Sequence, residues 1–275
     1  MNLFSPADVA KNYIAIGKSK VNTPVPKMFL LAVLAGMFIG LGGVGATTAA
    51  VSVPLASVGK FLGACIFPGG LTMVLLAGSE LFTGNNLLTI PLLEKEITLG
   101  GMLRNWIVVY IGNFVGSMIV AAGAVFSHQL SLFGNGMATS VISTAASKCT
   151  LSFGDAFLRG IFCNFLVCIA VWISFAAKDV AGKIIGLFFP IMIFVLCGFE
   201  HSVANMYYIS AGLFAKSVPA YAEAATAAGV DLSVINWGSF FGTNLLPVTL
   251  GNIVGGAICV GCVYWFIYLR KTDGK

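Results

Sequence analysis

Apolar stretches long enough to cross a bilayer, about 20 residues each, recur near 28–53, 61–90, 104–127, 157–177, 184–214 and 240–269. Only a helix satisfies its own backbone hydrogen bonds within a single segment at membrane depth. The pattern therefore predicts an all-α, polytopic membrane protein with six transmembrane helices. The second and fifth stretches are interrupted by one polar pattern, G-x-E-x-x-x-x-N. It appears as Gly78, Glu80 and Asn85 in GSELFTGN, and as Gly198, Glu200 and Asn205 in GFEHSVAN. A carboxylate near the middle of a span costs about 2.5–3.5 kcal/mol on insertion scales, and such residues mark solute or ion paths.

The repetition extends beyond the glutamates. Gly112-Asn113-Phe114-Val115-Gly116 in the third stretch matches Gly251-Asn252-Ile253-Val254-Gly255 in the sixth. The chain thus divides into halves at about 28–128 and 157–270, three spans each. Because three is odd, the second half enters the membrane from the opposite side, and an inverted 3+3 repeat follows. Glycine pairs four residues apart, as in Gly36/Gly40, Gly112/Gly116 and Gly251/Gly255, put two glycines on one helix face and let backbones pack closely in lipid.

Helices 2 and 5 are expected to break at the polar patterns and restart near Thr83 or Gly84 and near Ser202, with Thr83 and Ser202 as N-caps. Broken helices in corresponding positions of two inverted halves point to a binding site or pore between them. Two helix N-termini converging there would favour an anion. Glu80, Glu200, Asn85 and Asn205 are then expected behind the breaks as loop scaffold, because bare carboxylates lining an anion path would repel the solute.

Composition excludes a soluble enzyme: 58% of the 275 residues are hydrophobic and 9% charged, against about 25% charged in soluble domains. Mean hydropathy is +0.96. With both termini on one side, eleven basic residues fall there (Lys11, Lys18, Lys20, Lys27, Lys95, Arg104, Lys178, Lys183, Arg270, Lys271, Lys275) and four opposite (Lys60, Lys148, Arg159, Lys216). The positive-inside rule then puts both termini in the cytoplasm, and the chain is expected in the plasma (inner) membrane. The net charge of +5 is a topology signal and calls for no nucleic acid. Residues 1–27 are polar and read as a cytoplasmic helix starting at Ser5-Pro6, either interfacial or a gate; 28–270 form one pore domain and 271–275 a cytoplasmic tail. Cys259-x-x-Cys262 has metal or redox spacing but no second ligand pair nearby, so no metal or cofactor is expected.

His201 occupies the second break. A histidine there can donate a hydrogen bond to an anion and share a proton with a weak-acid solute. Lys148 lies in the Ser/Thr-rich stretch between spans 3 and 4. It reads as a loop lysine unless that stretch folds back to the pore. No Asn-Pro-Ala box, H-E-x-x-H or G-x-S-x-G motif occurs, which speaks against a water or polyol channel and against an intramembrane hydrolase. A proton-coupled anion carrier of the same fold stays open.

GSELFTGN (78–85), NWIVVYIGNFVG (105–116), NFLVCIAVW (164–172), GFEHSVANM (198–206) and NLLPVTLGNIVGG (244–256) resemble the formate/nitrite transporter family over nearly the whole chain, and more its hydrosulfide-channel branch than its formate channels. The resemblance implies an aquaporin-like protomer and a homopentamer with a pore in each subunit, passing hydrosulfide, formate or nitrite. It places the pore histidine on His201, the vestibule lysine on Lys148, the loop threonine on Thr83 and a pore-lining asparagine on Asn252. Apolar constrictions would involve Leu71, Leu81, Phe82 and Phe194. Gly84-Asn85 stands where formate channels more often carry Ser-Thr, a departure from their pattern.

Overall fold

A computed structural model describes residues 3–270; the tail expected at 271–275 lies outside the described residues. The elements are α1 (Pro6–Asn22), α2 (Val25–Ala50), α3 (Ala56–Gly78), a 3₁₀ turn (Gly84–Leu88) running into α4 (Thr89–Leu93), α5 (Leu99–Phe126), α6 (Gly136–Cys149), α7 (Phe153–Ala176), α8 (Val180–Leu196), α9 (Ser202–Ala215), α10 (Pro219–Ala227) and α11 (Ser239–Tyr268). Helices α2, α3, α5, α7 and α11 are each long and apolar enough to span. The fifth span is composite. Helix α8 has 17 residues, about 26 Å at 1.5 Å per residue, and α9 continues after the break. In the other half α3 ends in a π-type turn at Val74–Gly78, and the 3₁₀ turn and α4 follow.

Both breaks turn on a glycine with positive φ, Gly78 at 83° and Gly198 at 69°, a region costly for residues with a Cβ. The repeated glycines set the spacing of the spans. A Cβ at Gly116 would fall on the Val33 carbonyl oxygen of α2, and one at Gly255 on the Ile161 carbonyl oxygen of α7. Helices α2 and α5 in one half, and α7 and α11 in the other, therefore pass backbone to backbone. Large apolar side chains such as Leu30, Ile107, Ile111, Phe162, Ile185 and Phe266 face outward, as expected of surfaces solvated by lipid.

Helix α1 starts at a capping box: Ser5 Oγ accepts from the Asp8 amide (3.2 Å), and the Asp8 carboxylate accepts from the Ser5 amide (3.2 Å). Ser5 Oγ also donates to Asp8 Oδ2 (2.6 Å), and this bond, with the one from the Ser5 amide, holds the Asp8 carboxyl below its ordinary pKa. The helix buries Val9, Ala10, Tyr13 and Val21 against the bundle, with Tyr13 edge-on to Phe175 at 5.7 Å. The stretch containing Lys148 folds back as α6, with Met137, Val141, Ile142 and Ala145 buried.

Candidate functional site

The two breaks meet. Thr83 Oγ1 and His201 Nε2 are 2.9 Å apart, and both residues are buried. His201, not Ser202, caps α9: its Nδ1 accepts the Ala204 amide at 3.0 Å. Since Nδ1 is an acceptor, the neutral ring carries its proton on Nε2 and donates it to Thr83 Oγ1. The Thr83 hydroxyl hydrogen is then left for another acceptor. Thr83 was expected to cap the first half-helix, but its side chain makes no such bond.

Ser202, the expected N-cap, is instead the first residue of α9, and its free amide is taken by another side chain. Asn252 Oδ1 accepts the Ser202 amide at 2.9 Å, while Asn252 Nδ2 donates to the carbonyls of Gly160 (2.8 Å) and Glu200 (2.9 Å). Its repeat mate does the same for the first break. Asn113 Oδ1 accepts the Phe82 amide (2.9 Å), and Nδ2 donates to the carbonyls of Ala32 (2.8 Å) and Glu80 (2.9 Å). Asn252, expected along the pore, is placed here as a brace of the second break. Its amide is fully engaged by backbone, and it lines neither cavity described below.

Behind each break stands one more repeated arrangement. Glu200 accepts from Lys148 Nζ with both oxygens (2.9 and 3.0 Å) and from Asn205 Nδ2 (2.6 Å). Asn205 Nδ2 also donates to Asn244 Oδ1 (2.8 Å), and Asn244 Nδ2 to the Lys148 carbonyl (3.0 Å). In the other half Glu80 accepts from Lys20 Nζ (2.9 Å) and Asn85 Nδ2 (2.6 Å). Asn85 donates to Asn105 Oδ1 (2.8 Å), and Asn105 to the Lys20 carbonyl (3.4 Å). Two elements outside the six spans, α1 and α6, thus each supply a lysine that pairs with a buried glutamate. Sequence reading found the glutamates but missed Lys20, Asn105 and Asn244. Their signal was available: Asn105 and Asn244 each lie seven positions before the first glycine of the GNxVG motif of their half.

Two cavities approach the contact between the breaks from opposite faces, and no residue lines both. The larger, about 500 Å³, is bounded by α2, α3, α6, α7, α8 and α9 and includes Phe67, Phe194, Lys148, Glu200 and His201. The smaller, about 30 Å³, is closed by Tyr13 and Lys20 of α1 and includes Leu71, Val74, Leu81 and Gly84. Phe67 and Phe194 meet edge-on at 5.6 Å, and Phe194 lies 5.8 Å from the His201 ring. Of the constriction residues expected, Leu71 and Leu81 border the small cavity and Phe194 the large one. Phe82 borders neither and packs on Tyr110 (4.8 Å) and Trp106 (6.0 Å). Phe67 was not foreseen.

A family model described as formate/nitrite transporter matches residues 7–266. The chain belongs to that family. A probable formate transporter of Methanothermobacter thermautotrophicus is 39% identical, covering 97% of this chain and 98% of that protein. The formate channel FocA of Escherichia coli K12 is 34% identical over 99% and 97%. Among solved structures, a pentameric formate channel with formate bound is similar with a TM-score of 0.79 and 35% identity, covering 90% of this chain and 98% of that one. An ion channel of the formate/nitrite transporter family reaches 0.82 at 29% identity, over 94% and 98%. Membership makes this chain an integral membrane protein of an anion-channel family with an aquaporin-like fold, and not an enzyme.

Proposed function

We propose that each protomer is a channel for small monovalent weak-acid anions, formate first, with hydrosulfide and nitrite as chemically matched alternatives, and that the protomers assemble as a homopentamer. The observation that carries the reading is the Thr83–His201 contact, with Leu71 and Leu81 bordering the cavity on one side and Phe67 and Phe194 the cavity on the other. A bare anion loses its water on passing Phe67 and Phe194, so it needs either a donor or a proton. Thr83 supplies the donor, held in orientation by the Nε2–H of His201. A proton gained in the wide cavity would let the solute cross the apolar ring as a neutral acid, which is why weak-acid anions suit this path and chloride does not. The orientation proposed puts α1 and both termini in the cytoplasm and the 500 Å³ cavity outside, in the plasma membrane.

Reconstituted vesicles compared in formate, hydrosulfide, nitrite, chloride and glycerol at two pH values test this. The expected result is rapid flux of the weak-acid anions and little of chloride or glycerol. Glycerol flux without formate flux would point to a polyol channel. Fixed-stoichiometry proton coupling with saturation would point to a carrier.

A further inference from the structure

The large cavity has two polar walls that the Lys–Glu–Asn scaffold leaves unused. One is α6, where Ser140, Ser143, Thr144 and Ser147 recur at helical spacing and line the cavity, while its opposite face is buried. The other carries Lys60 of α3 and Arg159 of α7. Lys60 Nζ lies 3.2 Å from the point a Cβ on Gly198 would occupy, so its ammonium stands over the loop leading to Glu200 and His201.

The balance of charge in this cavity runs against the assignment of Lys148 as the group that draws the anion in. Lys148 is bound by both oxygens of Glu200, and a pair that close presents a dipole instead of a net charge at a distance. Among the described residues the ion pairs are Lys18–Glu96, Lys20–Glu80 and Lys148–Glu200, and none includes Lys60 or Arg159. Asp155, one turn before Arg159, accepts from Ser152 Oγ at 2.7 Å and keeps its charge, but it does not line the cavity and makes no ion pair with Arg159. The uncompensated charge of the cavity therefore rests on Lys60 and Arg159. The small cavity on the other face has only Lys20, already paired with Glu80. Low-dielectric walls focus such a charge and raise the local concentration of counter-ions.

We propose that Lys60, Arg159 and the hydroxyl face of α6 form a loading site for one small monovalent oxyanion ahead of the constriction, and that these two cations, not Lys148, set the affinity of this face for the solute. The proposal rests on the anion-channel reading above and adds a direction to it: the wide face loads at lower solute concentration than the face closed by α1.

The test pairs a flux measurement with one that needs no transport. Labelled formate flux is measured in right-side-out and inside-out membrane vesicles of the full-length protein and of Lys60→Gln/Arg159→Gln. In the variant the apparent KM for formate offered to the wide cavity should rise about 3–10-fold, as expected for two partly screened charges, and the KM from the opposite face should stay within about twofold on the same estimate. Separately, Ser143→Cys is placed in both backgrounds and reacted with anionic and cationic methanethiosulfonates. The anionic-to-cationic rate ratio should fall at least threefold when the two cations are neutralised, on the same Coulomb estimate, and a Lys60→Arg/Arg159→Lys variant should restore it. An unchanged rate ratio, or an equal rise in KM from both faces, overturns the loading site. Absence of formate flux in the unaltered protein would remove the anion-channel reading instead, while the labelling ratio would still decide the loading site.

Discussion

Asn252→Leu is the sharpest probe of how the second break is held. The substitution keeps the side chain close in size but removes three hydrogen bonds, to the Ser202 amide and to the carbonyls of Glu200 and Gly160. Gly160 lies inside α7, so its carbonyl retains the helix ladder; the Ser202 N–H and Glu200 C=O have no second partner among the described residues. Two buried orphans at about 1–3 kcal/mol each give about 2–6 kcal/mol. Polar bonds in membrane proteins have averaged lower, near 0.6 kcal/mol, so the lower part of that range, about 2 kcal/mol, is expected. Asn113→Leu should cost about the same, because its three bonds have the same lengths to within 0.1 Å. The measurement is thermal unfolding of the purified protein in detergent, alongside vesicle flux. Both variants should melt lower by similar amounts, with flux lost because Ser202 and His201 shift in Asn252→Leu and Phe82 and Thr83 shift in Asn113→Leu. A variant at unaltered stability but with altered anion selectivity would refute the scaffold reasoning and return Asn252 to the pore wall.

Further outcomes follow from the same contacts. Thr83→Val keeps the shape but leaves His201 Nε2 without its partner; flux should fall about fivefold, the equivalent of one hydrogen bond of about 1 kcal/mol, and Thr83→Ser should retain most of it. Lys20→Met strands Glu80 in a site where the pair is 19% and 10% exposed. A loss of about 3 kcal/mol is expected in a melting assay, partly recovered by adding Glu80→Gln, whereas Lys18→Ala, at a pair exposed 48% and 44%, should change stability by less than about 1 kcal/mol. Gly255→Ala places a methyl on the Ile161 carbonyl and should destabilise by about 1–3 kcal/mol or more, while Gly123→Ala, with nothing within 4 Å, should be neutral in the same assay.

Hydrophobic runs and repeated short motifs are local properties, and they alone announced the spans, the two halves, the paired breaks and the family. What they could not announce is which side chain meets which across the repeat. Ser202 has the better capping chemistry by residue type, yet it is His201 whose ring takes the Ala204 amide, while Asn252, fifty positions away, takes the Ser202 amide. Lys148 reads as a loop lysine until α6 folds back and sets it on Glu200. Lys20 carries no mark in the polar N-terminal segment that it reaches Glu80. The reason is common to all three. Lipid exposure and helix breaking depend on neighbours a few residues away, whereas satisfying a buried donor or carboxylate depends on whichever group the packing brings within about 3 Å, and only the closed arrangement of helices decides that.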